Sequence, residues 1–202
     1  FSDGWWYRDA AVRAAAVAML EGTPYPGPGA PVFPRAGTGH FHGTPDGMFD
    51  VLPVDCPAHV LSQYRLVVVA PGASVDVEAA EELVCGDGAW LLATADATEL
   101  LDRFGVEAGE VRNAERIRFL ADGTGEGGRL SAGEGGLSYS EMRPEPDTVH
   151  AVAEPGDDVF LGGWQRGRGR MFVFPALRPG RAVSFLGRTM NRRVRLLQAI
   201  CR

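Results

Sequence analysis

Residues 49–106 read FDVLPVDCPAHVLSQYRLVVVAPGASVDVEAAEELVCGDGAWLLATADATELLDRFGV. Arg65 to Ala70 (RLVVVA) is an unbroken β-branched and aliphatic run. Without polar alternation it predicts a parallel strand covered on both faces. Pro71-Gly72 ends it. Val77 to Val84 (VEAAEELV) then sets Val77, Ala80 and Val84 on one helical face and turns Glu78, Glu81 and Glu82 outward. Gly86-Asp87-Gly88 stops that helix, and Ala89 to Thr94 (AWLLAT) is the next buried strand. Strand, helix and strand with short Gly-rich joints make a right-handed βαβ unit. FDVLPV, just before, reads as a further strand of the same sheet.

The order of these phrases resembles the class I glutamine amidotransferase-like domain, in the non-catalytic form that follows the barrel of beta-galactosidases and related glycoside hydrolases. The phrases are Phe49-Asp50-Val51-Leu52, Leu61-Ser62-Gln63-Tyr64, Leu66 to Ala70 with Pro71, the acidic helix Glu78 to Val84, Gly86-Asp87-Gly88, and Leu91 to Thr94. Gly167-Arg168-Gly169-Arg170, followed by Met171 to Phe174, is similar to the closing strand of that family, so the match runs over residues 46–200. The resemblance implies a three-layer α/β/α, flavodoxin-like fold with a mostly parallel sheet. Active members carry a cysteine in a Gly-x-Cys-x-Gly turn, where small neighbours permit a strained elbow and helix amides favour the thiolate. The matching turn, Ala93-Thr94-Ala95-Asp96-Ala97, has neither cysteine nor glycine. A His-x-Glu pair belongs near the last strand, and Phe174-Pro175-Ala176-Leu177-Arg178-Pro179 has neither residue. The resemblance therefore implies a domain that does not hydrolyse glutamine.

The composition is that of an ordinary water-facing domain. The chain has 202 residues, 45% hydrophobic and 23% charged, enough for one α/β core. No apolar run approaches the roughly 20 residues that span a bilayer, and no signal segment opens the chain, so a cytoplasmic location and no membrane partner are expected. All 20 basic residues are arginine, and the net charge is -6. A chain this acidic repels phosphate backbones, which argues against nucleic acid. Arg188, Arg192, Arg193, Arg195 and Arg202 lie on or beside an expected C-terminal helix, Asn191 to Ile200, and read as its solvated or domain-facing surface. Three cysteines, Cys56, Cys85 and Cys201, stand too far apart for a zinc motif or a disulfide framework.

The N-terminal part differs in character. Trp5 to Leu20 (WWYRDAAVRAAAVAML) reads as a helix capped by Ser2 or Asp3. Residues 23–47 are nearly half Pro and Gly and read as a linker or a functional loop. Two units are expected: an N-terminal helix with its Pro/Gly-rich segment, 1–47, and an amidotransferase-like α/β domain, 48–202. A doubly wound domain usually begins with a strand, and this chain begins at Phe1 with a helix signal, so it reads either as a piece of a longer protein or as a chain whose start was removed by cleavage. Gly105 to Asp147 reads as irregular, with a strand or helix at Arg112 to Leu120 and a mobile GTGEGGRLSAGEGG loop. Thr148 to Ala153, Asp158 to Trp164 and Gly169 to Phe174 read as three strands.

Candidate chemistry is sparse. Cys56 and His59 stand at helical spacing after a strand. They are either a nucleophile pair or, on the reading we favour, a buried thiol and an exposed imidazole of a short bridging helix. His40 and His42 project to one side of an extended segment and could share a metal with Asp46 or Asp50. A surface loop presenting polar groups is the favoured reading, so neither metal nor cofactor is expected. Trp5 and Trp6 are adjacent on a helix and cannot share one buried stripe. Together with His40 and His42 they are the expected ligand-contacting residues, with Tyr25, Phe33, Phe41 and Trp164 as neighbouring aromatics. Asp50, Asp55, Asp96 and Glu99 lie near strand ends but form no glycosidase pair by any spacing rule.

The expected function is that of an ancillary domain of a carbohydrate-active enzyme, assembling subunits and completing a sugar pocket. Expected partners are a second copy or a neighbouring catalytic domain, and a saccharide. A small hydrolase using Cys56 and His59, or a free-standing sugar-binding protein, are the alternatives.

Overall fold

Leu66–Val69 (β3) is buried at every position, as expected of an uninterrupted apolar run in a sheet interior. The computed structural model describes residues 17–21, 50–69, 73–120, 129–131, 136–175 and 200. Around β3 the sheet is built from Val17–Glu21 (β1), Asp50–Pro53 (β2), Trp90–Thr94 (β4) and Gly169–Phe174 (β11). These five strands lie in the order β2-β1-β3-β4-β11, and every neighbouring pair is parallel. Val51, Val68, Leu92 and Val173 thus share one parallel set, as the sequence predicts.

Short helices supply the crossovers. Ala58–Leu61 (α1) bridges β2 to β3. Val77–Glu81 (α2) follows β3, is capped by the Asp76 carboxylate accepting from the amides of Glu78 and Ala79, and runs into a π-turn at Glu82–Gly86. Thr98–Arg103 (α3) follows β4. Leu83, Val84, Leu100, Leu101 and Phe104 pack with Val67, Leu91 and Met171 in one core on this side of the sheet.

The expected three-layer flavodoxin-like fold is not what forms. After β11 the same nine-stranded sheet continues through Asp158–Arg166 (β10), Thr148–Glu154 (β9), Arg116–Phe119 (β6) and Arg129–Ser131 (β7). These pairs are all antiparallel. A further antiparallel pair, Glu107–Ala114 (β5) with Leu137–Arg143 (β8), stands beside it. The result is a curled mixed sheet, richer in strand than in helix. A parallel set needs a crossover of a dozen or more residues per strand, whereas hairpins join antiparallel strands with a tight turn. Within Gly105 to Asp147, expected to be irregular apart from a strand or helix at Arg112 to Leu120, the described residues form strands β5 to β8. Arg129–Ser131, inside the expected mobile loop, is one of them.

The N-terminal helix also needs correction. Its last four residues, Val17 to Leu20, belong to β1, which lies between β2 and β3 and hydrogen-bonds along both edges. That double ladder outweighs helix propensity, which favours this segment but differs among ordinary residues by less than about 1 kcal/mol each. Trp5 to Ala16 lie outside the described residues, as does the expected C-terminal helix except Ile200, which is helical and buried. Among the described residues no helix is long and apolar enough to cross a membrane.

In the antiparallel half, aromatic rings fill the space between strands. Phe160 meets Phe174 edge-on at 5.2 Å and Tyr139 at 5.5 Å. The Tyr139 hydroxyl donates to Asp158, whose other oxygen holds Arg112. Burial, reinforced by the Asp158 charge, pushes the Tyr139 phenol up to about 12. Because the folded value exceeds the ordinary value near 10, the contribution of the neutral phenol is complete below pH ~10 and is lost as pH rises through about 12. Urea midpoints measured across that range should fall more steeply for the wild type than for Tyr139→Phe.

Candidate functional site

In a parallel sheet the loops leaving the carboxyl ends of adjacent strands form a natural crevice. Here the segments after β3 and β4 enclose a cleft of about 270 Å³, whose polar lining is Ser74, Asp96, Thr98 and Glu99. Val75 and Val77 form part of its apolar wall. Ser74 and Glu99 sit in the turns that open the two helices, and both are exposed. At the end of β4, Thr94 is 3% exposed and its Oγ1 makes no hydrogen bond. An unsatisfied buried hydroxyl costs about 1–3 kcal/mol, so the strand end is not optimised for stability alone.

The chemistry of this lining is acceptor-rich. Two hydroxyls can donate and accept hydrogen bonds, and two carboxylates can accept them, with a polyhydroxylated molecule as partner. They include no thiol, imidazole or amine, so a cysteine- or histidine-based mechanism has no residue to use among the described lining. Among the described residues no group of three metal-ligating side chains gathers.

The turn between β4 and α3 is a strand–turn–helix junction at the carboxyl end of a parallel strand. Thr94 ends the strand, Ala95 and Asp96 turn, and Thr98 begins the helix. The described cysteines lie elsewhere. Cys56, 7% exposed, precedes α1, and burial with help from the Asp55 charge pushes its thiol up. His59, on α1, is exposed. This is the buried-thiol arrangement favoured from the sequence. A raised thiol is a poor nucleophile at neutral pH. Iodoacetamide should therefore modify Cys56 only as fast as the protein unfolds. Rapid labelling in native buffer would show a reactive site. Cys85 lies at the opposite end of β4, in the π-turn, where burial and Glu81 also raise its thiol.

Trp164, grouped from sequence with ligand-facing aromatics, is instead a core residue, 1% exposed, with its indole N–H donating to the Pro144 carbonyl at 3.0 Å. His150, solitary in sequence, stacks edge-on against Phe172 at 5.4 Å and shares a 3.0 Å hydrogen bond with Thr148. Trp5, Trp6, His40 and His42 all lie outside the described residues. Of the cleft residues, Asp96 and Glu99 were noted as strand-end carboxylates. Ser74 and Thr98 were missed, although their positions after two predicted strands were the available signal.

No protein-family profile and no curated protein matches the chain. Among solved structures, its neighbours include glycoside hydrolases. One is the GH42 beta-galactosidase Gan42B, with 18% identity, a TM-score of 0.46, and 71% of this chain aligned to 23% of that one. An exo-beta-1,4-mannosidase from Opitutaceae bacterium strain TAV5 gives 13% identity and a TM-score of 0.48, with 75% of this chain covering 27% of that one. A cytoplasmic protein from Salmonella typhimurium LT2 gives 14% identity and a TM-score of 0.46, over 74% of this chain and 80% of that one. The chain thus spans about a quarter of the length of the two glycoside hydrolases.

Proposed function

We propose that the chain is a non-catalytic, amidotransferase-like ancillary domain of a carbohydrate-active enzyme of the beta-galactosidase kind, serving subunit assembly and helping to complete a sugar pocket. The observation that carries this reading is the β4–α3 junction. A strand–turn–helix elbow stands at the carboxyl edge of a parallel set, yet Thr94 to Ala97 supply no cysteine, while both described thiols lie away from that elbow with raised pKa values. The hydroxyl and carboxylate lining of the neighbouring cleft suits sugar hydroxyls better than an acyl substrate. Trp5, Trp6, His40 and His42 are proposed as further saccharide contacts.

The purified chain should release no ammonia from glutamine. Glutaminase activity above that of a heat-denatured control would end the non-catalytic reading. Saccharide titration followed by tryptophan fluorescence tests the pocket role, with Glu99→Gln expected to weaken whatever binding the wild type shows.

A further inference from the structure

Several cations on the described surface are already matched, and Arg166 and Arg168 are held by backbone carbonyls. Arg103, Arg112, Arg116, Arg118 and Arg143 each meet a carboxylate. Arg65 and Arg170 meet none among the described residues, and both lean on one indole. The Arg65 guanidinium lies 4.4 Å from the centre of the Trp90 ring, and that of Arg170 lies 5.7 Å from it.

The sheet register explains the convergence. Trp90 opens β4, with Leu66 of β3 opposite it on one side and Arg170 of β11 on the other, so Arg65, just ahead of β3, and Arg170, within β11, both reach the ring. Trp90 is itself pinned edge-on by Phe172 at 5.8 Å. Arg170 is further held by the Gln165 side-chain oxygen at 3.2 Å, and Gln165 is fixed by bonds to the carbonyls of Gly167 and Gly169. Two pre-positioned guanidiniums at one ring repel each other, and stacking offsets only part of that cost. A carboxylate arriving from outside would relieve it with little loss of side-chain freedom.

The matching surface is on the same chain but elsewhere on it. Glu78 and Glu82 on α2 and its π-turn, and Glu99 and Asp102 on α3, are exposed and belong to no ion pair among the described residues. They form an acidic helical layer, while the arginine pair stands at the amino edge of β4. On a chain of net charge -6, an arginine pair that meets no described carboxylate and an acidic face whose described cation, Arg103, is taken by Glu81 are complementary between molecules. We infer that the Arg65–Trp90–Arg170 patch docks on the acidic α2–α3 face of a second copy of this chain. The inference rests on the assembly role proposed above and gives it a surface.

The test is sedimentation velocity on the full chain at about 0.05 M and about 0.5 M NaCl, where screening lengths differ severalfold. Wild type should associate at low salt and weaken by tenfold or more at high salt. Arg65→Glu with Arg170→Glu should be monomeric at both, as should Glu78→Arg with Glu82→Arg, and an equimolar mixture of the two variants should associate again. If the glutamate variant does not fold, Arg65→Gln with Arg170→Gln is expected to lose the same salt-dependent association. Association that survives in both arginine variants would overturn this surface and leave the assembly role standing. A wild type that stays monomeric at low salt would overturn both. Quenching of tryptophan fluorescence by free glutamate or citrate, abolished in the arginine variants while the wild type remains monomeric, would make the patch a small-anion site and refute the inference.

Discussion

Gly169→Ala should destabilise the domain by about 3 kcal/mol or more, at or beyond the upper end of ordinary overpacking costs. A Cβ at this position would lie 2.1 Å from the Ala89 carbonyl oxygen and 2.5 Å from that of Val84. Both obstacles are backbone, so no rotamer change relieves them. Either β11 must draw away from β4 or the turn leading into β4 must shift, and both break packing at the centre of the parallel set. Gly105→Ala is the informative control. Gly105 has φ +62 but nothing within 4 Å of its added Cβ, so only the left-handed backbone cost of about 1–2 kcal/mol is expected. Urea titrations of the two variants should separate clearly. Equal losses would mean that the close approach at Gly169 is absent.

Trp164→Ala should cost about 3–5 kcal/mol, the range for emptying a buried aromatic site. The indole is 1% exposed, packs in the helix-side core, and donates to Pro144. Its removal leaves a large cavity and an unpaired carbonyl. Trp164→Phe keeps an aromatic ring in the site and loses the donor, so a smaller loss of about 1–3 kcal/mol is expected. Chemical denaturation measures both. A loss below about 1 kcal/mol for the alanine variant would place the ring at the surface, where a carbohydrate platform would need it.

Within the parallel half, β2, β3, β4 and β11 are legible in the sequence because their signals are local, whereas β1 is not. A fully apolar strand such as Leu66–Val69, an acidic-faced helix beginning at Val77, and Gly-rich stops each depend on residues a few positions apart. The two glycines of Gly167-Arg168-Gly169 carried a family resemblance, and the structure supplies their physical reason. Gly167 adopts φ +53 in the β10–β11 turn with its Cβ position 2.7 Å from the Cys85 backbone, and Gly169 lies against Ala89. The candidate cleft was half visible. Asp96 and Glu99 follow a predicted strand, but their meeting with Ser74 depends on β3 and β4 being neighbours.

By itself the sequence determined the existence and type of the strong elements, the absence of a thiol or imidazole from the β4–α3 turn, and the burial of Cys56. Tertiary structure decided the rest. Whether Val17–Glu21 is helix or strand turned on two neighbouring edges that no local window contains. Whether Gly105 to Asp147 is loop or sheet turned on long-range pairings such as Arg116 with Glu154 and Glu107 with Arg143. The pairing of two arginines on Trp90 likewise arises only where β3 and β11 flank β4. In each case the stabilising partner is distant along the chain, so the free energy that selects the conformation is not written in the segment that adopts it.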